Sequence, residues 1–470
     1  TSVNGNISIS AQPVSGASRG LYFATTNSSV STTGSGSITM SSTASTNGDT
    51  FSNLTTLSSA TGTVSVTTAN SMTLPNAWSS PGAATFASTG GSVTLNANQT
   101  ITGSGNGFTV KAATDIFANN NITTAGGAVT LWSDTDAATS RGGGIKTATT
   151  STISTSGGAV SLSGGTDNTT SWAKGSANTD YAGVSLNGAI STGAGNIIIR
   201  GEELGQVGTR YGVYQVGAST LTTTSGTITI NGKVDATNTD TANNHYGVWL
   251  GNNLSSVASV SSSSGAISIL GDATGNSNTA RFGVLLYSAS VTSTDGAITI
   301  EGRANSNSTD VRFLQETGAT NTVSSTNAAV TIKGSASSSS MFAGSATFSS
   351  GSNITWQLNK PSLTTYTTSI NLNGAGTKVI EPPVGNNAFG AAQTITNLTI
   401  ANTSTGLRIG STNNTANLTL SNSYSIAGPI EVYGGLVTQS AAMTATGSTG
   451  SLTYTGTAGI NITGGITTVA

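Results

Sequence analysis

Apolar residues recur along most of this chain in one fixed pairing. An apolar residue within a Ser/Thr-rich stretch is followed, seven residues later, by the first residue of an apolar–x–apolar strand. The pairs are Ile122–Val129, Ile153–Val160, Ile190–Ile197, Leu221–Ile228, Val260–Ile267, Val291–Ile298 and Val323–Val330, with Leu57–Val64 and Phe86–Val93 extending the series toward the N-terminus. Because alternate residues of a strand face opposite sides, this spacing predicts two short strands joined by an invariant corner.

Glycine lies in most of these corners. Glycine adopts positive φ angles at little cost, so we expect these residues to form the tight part of each turn. The corner glycines are Gly126, Gly157, Gly195, Gly226, Gly265 and Gly296.

A further strand recurs between successive corner units. Its marker is a Gly-Val pair, at Gly183-Val184, Gly212-Val213, Gly247-Val248 and Gly283-Val284. The repeat therefore has three short strands, and its length varies between 31 and 39 residues from Val93 to Val330. Most of that variation precedes the Gly-Val strand, so loops are expected to leave the body there; the segment 163–179 is the longest.

Three strands per repeat, a constant corner and variable insertions predict a parallel β-helix. Each coil would stack about 4.8 Å above the last, so that neighbouring coils complete the hydrogen bonds and the core of one another. A β-sandwich does not require an invariant seven-residue corner, and a propeller blade has a longer repeat with a different signature. We expect about 15–18 coils, which at about 4.8 Å each would make a rod of roughly 70–90 Å.

The repeat changes twice along the chain. Before residue 90 it is weaker, and after residue 340 shorter coils of about 20 residues follow, with Leu398/Ile400 and Leu418/Leu420 twenty residues apart. We therefore predict three regions, at residues 1–90, 91–340 and 341–470, of which the last is a second β-helical segment.

Composition narrows the class of protein. Only 7% of the residues are charged, the net charge is −2, and the chain contains no cysteine. This balance gives no electrostatic case for binding nucleic acid, and no apolar run approaches the roughly 20 residues that span a bilayer. Disulfides and thiolate metal sites are excluded. The chain opens on Thr1, and we expect it to be an excerpt of a longer or processed protein.

Several segments resemble giant filamentous-haemagglutinin-like adhesins and the passengers of autotransporters. They are Ser-Gly-Gly-Ala-Val-Ser-Leu at 156–162, Ser-Gly-Ala-Ile-Ser-Ile at 264–269, and Ser-Ile-Ala-Gly-Pro-Ile-Glu-Val-Tyr-Gly-Gly at 425–435. The resemblance implies a right-handed β-helix that is exported to the bacterial cell surface, with adhesive or filament-building roles. Its partners would be copies of itself or neighbouring segments of the same long chain, and glycans or cell surfaces.

Residues suited to catalysis are sparse. The acids and bases that follow a strand are Asp134, Asp136, Arg200, Glu202, Glu203, Glu301 and Arg303. We interpret them as solvated loop residues with Arg–Glu pairing, since an enzyme acting on glycans needs clustered carboxylates. His245, the single histidine, has no triad partners, and no metal-ligand spacing occurs. We predict no enzyme activity, no cofactor and no metal.

One row of residues suggests a ligand site. If Val213, Val248 and Val284 point inward, alternation places Tyr211, Tyr246 and Phe282 inward as an aromatic stack. A cationic row of Arg210, His245 and Arg281 would then face outward beside Tyr214, Trp249 and Leu285. Such a row could bind a glycan or an anion, because aromatic rings stack on sugars and arginine binds carboxylates. The alternative is that loops cover this face, with Asp235, Asp240 or Asp272 neutralising it.

A second surface feature is a row of hydroxyls beside the corner. We predict that Ser154/Ser156, Thr222/Thr224, Thr292/Thr294 and Ser324/Thr326 face outward as hydrated strand residues; an ice-binding row is the alternative.

The sequence therefore predicts a non-enzymatic extracellular segment of a bacterial surface protein that mediates adhesion. The alternative is a self-assembling subunit of an extracellular filament or sheath.

Overall fold

A computed structural model describes residues 1–12, 20–43, 49–137, 142–204, 208–237, 240, 244–252, 257–274, 281–305, 309–315, 320–334, 341–360 and 369–469. Its strands, numbered β1 to β47 in chain order, stack as successive coils of a parallel β-helix, as predicted. Contacts group the chain into two compact units, one of Thr1–Leu204 and Arg210–Gly232 and one of Gly205–Thr209 and Lys233–Ala470. In the described residues, no helix has the length and apolarity that crossing a membrane requires.

The first unit has three sets of strands. Face 1 precedes the corner and consists of β2 (Ser28–Thr32), β4 (Leu54–Ser59), β7 (Trp78–Ser80), β10 (Gln99–Ile101), β13 (Ile122–Thr124), β16 (Thr152–Ser154), β20 (Ala189–Ser191) and β23 (Thr220–Thr223). Face 2 follows the corner and consists of β1 (Ile7–Ala11), β3 (Ile38–Ser42), β5 (Val64–Thr68), β8 (Ala84–Ser88), β11 (Phe108–Ala112), β14 (Val129–Ser133), β17 (Val160–Gly164), β21 (Ile197–Glu202) and β24 (Ile228–Lys233). Face 3 consists of β6 (Met72–Leu74), β9 (Val93–Leu95), β12 (Ile116–Ala118), β15 (Ile145–Thr147), β19 (Ala182–Leu186) and β22 (Arg210–Gln215). The longest loop adds β18 (Ala173–Lys174) and a 3₁₀ helix (Ala177–Thr179).

The second unit repeats this arrangement. Its face 1 consists of β26 (Ala258–Ser262), β29 (Ala289–Ser293), β32 (Asn321–Ser325), β35 (Ala346–Ser350), β37 (Ile370–Asn373) and β40 (Leu398–Ile400), followed by β43 (Tyr424–Ile426), β45 (Met443–Thr446) and β47 (Ile466–Val469). Its face 2 consists of β27 (Ile267–Ala273), β30 (Ile298–Ala304), β33 (Val330–Gly334), β36 (Ile354–Leu358), β38 (Lys378–Glu381), β41 (Leu407–Ile409) and the first halves of β44 (Ile430–Gln439) and β46 (Leu452–Ile462). Its face 3 consists of β25 (His245–Gly251), β28 (Arg281–Tyr287), β31 (Thr309–Leu314), β34 (Phe342–Ala343), β39 (Gln393–Ile395), β42 (Leu418–Leu420) and the second halves of β44 and β46.

The predicted register is confirmed in the coils that contain Ile122, Ile153 and Ile190. Ile122 pairs with Ile153, and Ile153 pairs with Ile190, on face 1. Val129 pairs with Val160 on face 2 in the same coils. All five side chains are fully buried, and burying each one stabilises the fold by roughly 1.5–3 kcal/mol. In the core of the β-helix, the side chains at equivalent positions of successive coils therefore stack in rows.

The extension of the series to Phe86–Val93 is wrong. Phe86 lies on face 2 and pairs with Val110, whereas Val93 lies on face 3 and pairs with Ile116. Phe108 pairs with both Ala84 and Val129, so this region contains short coils of 24 and 21 residues. In this coil the turn from face 2 to face 3 also spans seven residues, so it could not be distinguished from a corner in the sequence.

Short coils also occur after residue 340, although one predicted pairing there is wrong. Leu418 pairs with Gln393 and Val437 on face 3, whereas Leu398 pairs with Ile370 on face 1. Coil length varies within each unit, so the two units do not test the predicted boundaries at residues 90 and 340.

The corner is held by buried hydroxyls and by close backbone contact. Thr192 is fully buried and its Oγ1 donates to the carbonyl of Gly195 at 2.5 Å; Thr124 and Thr155 make the same bond to Gly127 and Gly158. These hydroxyls satisfy carbonyls that a tight turn leaves without a strand partner.

Most corner glycines are required for a different reason from the predicted one. Gly126 and Gly157 have positive φ angles. At Gly195, Gly226 and Gly296 the constraint is space: a Cβ on Gly226 would lie 2.0 Å from the carbonyl oxygen of Gly195, one coil below. Stacked corners approach so closely that only hydrogen fits between them.

The predicted outward hydroxyl rows are confirmed. Ser156, Thr224, Thr294 and Thr326 are exposed, and Ser154, Thr222, Thr292 and Ser324 are half-buried. The residue between the two members of each pair points inward, as Thr155 does with its buried corner hydroxyl.

Candidate functional site

The face-3 glycine interrupts the alternation of side chains. In β28, Gly283 and Val284 both face inward: Val284 is fully buried, and a Cβ on Gly283 would lie 2.8 Å from the Cα of Gly302 on β30. A Cβ on Gly247 would likewise lie 2.8 Å from the Cα of Gly271. Two successive inward residues reverse the orientation of every residue that precedes them in the strand.

The predicted surface row of cations is buried. Arg281 and His245 have no exposed area, and Arg210 is 6% exposed. The prediction that these three side chains face solvent is wrong because all three precede the glycine at which alternation reverses. Tyr214 and Trp249 follow the glycine, and both remain half-buried at the outer surface.

A small second core accompanies this reversal in the second unit. Strands β27 and β30 continue past Gly271 and Gly302, the glycines that contact β28. Arg281 lies on the same side of this contact, because it precedes Gly283 in β28. There a separate buried cluster forms, which contains Val234, Ala273 and Ala304. The glycine contact thus divides the coil interior into a main core and a side compartment at the base of the variable loops.

One loop carboxylate lies beside a buried residue of this row, as the alternative interpretation predicted for Asp240. Nε2 of His245 lies 3.6 Å from Oδ2 of Asp240, and both side chains are buried. The same Oδ2 accepts a hydrogen bond from the backbone N–H of Gly208 at 2.8 Å. Asp235 and Asp272 order their own loops, because each accepts hydrogen bonds from the backbone and hydroxyl two residues later. Asp240 is therefore held beside the buried imidazole of His245.

In the first unit, the buried cation supports an exposed ring. The guanidinium carbon of Arg210 lies 3.5 Å from the ring centroid of Tyr181, whose side chain is 36% exposed. Asp180 and Tyr181 have φ angles of 56° and 58°. The left-handed region costs a non-glycine residue on the order of 1–3 kcal/mol, so the surrounding contacts hold this pair in place against strain.

Two further tyrosines adjoin the backbone of Asp180 and Tyr181. The rings of Tyr211 and Tyr214 stack with centroids 4.3 Å apart and planes 13° apart. Burial and the nearby charge of Asp180 raise the pKa of Tyr214. The backbone N–H of Tyr211 donates to the carbonyl of Tyr181 at 3.4 Å. Tyr211, predicted to point inward, lies instead on the outer side with Tyr214.

Polar side chains border the same aromatic group. Oδ1 of Asp180 accepts from Nζ of Lys146 at 2.7 Å, and its Oδ2 accepts from the hydroxyl of Ser185 at 2.7 Å. Nδ2 of Asn187 donates to that hydroxyl at 3.1 Å. Lys146 pairs with Ser185, and Ser185 with Tyr214, on successive face-3 strands. Asp180, Tyr181 and Lys146 were missed in the sequence, where the only signal is an Asp-Tyr pair at the end of the longest loop.

The second unit carries its own aromatic group. Tyr246 stacks on Phe282 with centroids 4.9 Å apart, and its ring centroid lies 4.6 Å from that of the half-buried Trp249. Arg312 lies over Phe282 at 5.2 Å. Burial raises the pKa of Tyr246 to about 12. Stacking on successive coils is confirmed for Tyr246 and Phe282, and both rings are buried.

The main core has a different aromatic cluster. Phe313, Phe348 and Trp356 are fully buried, with ring centroids of successive members 5.2 Å apart. These residues come from faces 3, 1 and 2 respectively, so they fill the centre of consecutive coils.

An acidic group occurs where face 2 of the first unit ends. Asp134 is 4% exposed and has a left-handed φ of 51°. Burial, with the charges of Asp136, Glu202 and Asp115 opposing that of Lys174, raises the pKa of Asp134 to about 7. Within the described ranges, no group of three or more His, Asp or Glu side chains is arranged to hold a metal ion.

The predicted Arg–Glu pairing is found at Glu301 and Arg303. Nη2 of Arg303 lies 2.7 Å from Oε1 of Glu301. The pair borders an open cleft of about 320 Å³ that is also lined by Lys333, Gln357 and Val384. Three charged side chains and one amide therefore line this cleft.

Comparison with protein-family models, with curated proteins and with solved structures finds no match to this chain. The function is therefore inferred from the residues of the chain itself.

Proposed function

We propose that this chain is a non-enzymatic segment of an extracellular bacterial surface protein and that it mediates adhesion to cells, glycans or surfaces. The parallel β-helix supplies a repetitive scaffold, and insertions are concentrated at the turn from face 2 to face 3. A surface with few charges, built from hydroxyls and amides, is suited to contact with neutral polymers.

The proposal rests on where the aromatic residues of face 3 lie and on what supports them. Aromatic residues make up 5% of the chain, yet both units stack them on this face, and in the first unit the ring of Tyr181 is exposed. The buried Arg210 supports that ring. Burying a cation is costly unless it is paired, so this arrangement favours a surface with a binding role over an inert one.

The test is retention of the purified chain on target surfaces. Fluorescent beads coated with the 470-residue chain should bind cells or polysaccharide-coated wells in a saturable way, and free chain should compete. The polysaccharides should remain uncut. Beads coated with the chain and blocked beads giving equal retention on every surface would contradict adhesion.

The alternative, a self-assembling filament or sheath subunit, is separated by sedimentation and negative-stain microscopy over a wide concentration range. Adhesion by a stalk segment predicts particles that stay single as concentration rises. Long filaments would favour the structural function.

A further inference from the structure

We propose that Tyr181, together with Tyr211, Tyr214 and Asp180, forms a subsite for the neutral pyranose units of a hexose polymer. This subsite rests on the proposed adhesive function and gives it a ligand class and a location. We call these four residues, with Lys146, the tyrosine platform.

Tyr181 is held in a fixed position. Its ring has one face on the guanidinium of Arg210, 3.5 Å away, and its side chain is still 36% exposed. A ring held in this way loses little conformational freedom when a ligand binds, which favours affinity. Pyranose rings present patches of C–H groups that pack on aromatic faces.

The backbone of the platform is strained. Asp180 and Tyr181 both occupy the left-handed region, and neither is glycine. Strained backbone persists where neighbouring contacts determine it, and it concentrates at ligand-binding sites. Here Asp180 is fixed by Lys146 and Ser185, so the strained pair presents one carboxylate and one ring at a defined position.

Charge also bears on the choice of ligand. The ammonium of Lys146 is matched by Asp180 at 2.7 Å, and the other cation beside the platform, Arg210, is buried under the ring. The surface therefore offers a carboxylate, hydroxyls and the amide of Asn187, which suit sugar hydroxyls. A uronate would meet the carboxylate of Asp180, so we infer neutral sugars as the ligand.

Affinity electrophoresis and calorimetry with dextran, amylose and galactomannan test this subsite, with alginate as the acidic comparison. The 470-residue chain should bind at least one neutral polymer. Tyr181→Ala should weaken that binding by about tenfold, as loss of one stacked ring implies, while Tyr181→Phe should keep it. Tyr22→Ala removes a tyrosine that is 46% exposed elsewhere in the chain and should leave binding unchanged.

Thermal unfolding of each variant separates loss of binding from loss of fold, and Tyr181→Phe keeps the ring for the same purpose. Failure of the chain to bind any neutral polymer, preference for alginate, or equal affinity of Tyr181→Ala and the unchanged chain would overturn the subsite. Retention on cells by Tyr181→Ala beads would then leave adhesion standing. Neutral-polymer binding without cell retention would keep the subsite and reject adhesion.

Discussion

The two turns that follow face 1 and face 2 solve the same geometric problem with different chemistry. The corner from face 1 to face 2 spans seven residues in the coils of Ile122, Ile153 and Ile190. It is closed by neutral groups, such as the hydroxyl of Thr192 and the carbonyl of Gly195. The junction from face 2 to face 3 varies in length and contains fully buried Arg281 and His245. Neutral hydrogen bonds suit a corner that repeats in every coil, whereas charges can anchor loops of different lengths.

This difference bears on evolvability as well as stability. A corner that stacks on itself every coil cannot accept an insertion, since a Cβ on Gly226 already overlaps the corner below. A junction can accept a new loop if that loop brings a carboxylate such as Asp240 to a buried polar side chain such as His245. Variation at the junction therefore leaves the main core unchanged.

The largest expected effect comes from removing a buried cation at the junction. Arg281→Ala should lower the free energy of unfolding by about 3–5 kcal/mol, because truncating a large, fully buried side chain leaves a cavity. Urea unfolding followed by circular dichroism measures the change. Arg303→Ala is the matched control: its side chain is 48% exposed, so its loss should have little effect. Equal effects of the two variants would show that burial of charge does not distinguish the junction.

The glycine contact that separates the side compartment from the main core gives the next effect. A Cβ on Gly271 would lie 1.8 Å from the carbonyl oxygen of Gly283. Gly271→Ala should therefore cost about 3 kcal/mol through forced backbone movement. Gly465→Ala is the control, since an added Cβ there meets no atom within 4 Å. A variant as stable as the control, measured by thermal unfolding, would contradict the close contact.

Much of the corner and little of the junction could be predicted from the sequence. Each corner has an apolar side chain on either side of a constant spacing, so Ile122, Val129 and their counterparts specify the register directly. The direction of the side chains at the junction depends on the face-3 glycine, such as Gly283. A glycine has no side chain, so the sequence does not show which way it points. Alternation counted through this glycine of each strand placed Arg281 and Tyr211 on the wrong sides. The pairing of Tyr181 with Arg210 was hidden too, because a loop of variable length separates the faces that meet there.

A buried acid at the junction predicts a dependence on pH. The pKa of Asp134 is raised from 3.8 to about 7 in the folded state, so the folded chain binds this proton more tightly than the unfolded chain. Its stabilising contribution is complete below pH 3.8 and is lost, at about 1.4 kcal/mol per pH unit, as pH rises toward 7. Asp134→Asn should remove that loss and be more stable than the unchanged chain by on the order of 3 kcal/mol at pH 8.

Thermal unfolding of both proteins between pH 3 and 8 measures this difference. The two curves should converge at pH 3, where the aspartate is protonated in both states, and diverge up to pH 7. Asp295→Asn is the control, because Asp295 is exposed and is not among the charges that act on Asp134. Parallel curves for Asp134→Asn and the unchanged chain would mean that Asp134 has the same pKa in the folded and the unfolded chain.

The smallest effect is expected at the corner, where the groups are neutral. Thr192→Val keeps the shape of the side chain and removes the hydroxyl that donates to Gly195, so a buried carbonyl loses the shorter of its two hydroxyl hydrogen bonds. Such a loss costs about 1 kcal/mol. Thr123→Val changes an exposed residue of face 1 and should be neutral. Thr192→Val costing as much as Arg281→Ala would mean that the corner depends on its hydroxyls as strongly as the junction depends on charge, and the contrast between the two turns would fail. A cost near 1 kcal/mol would instead mean that the stacked apolar side chains supply most of the stability of the corner. That would explain why either serine or threonine occurs at the corner positions.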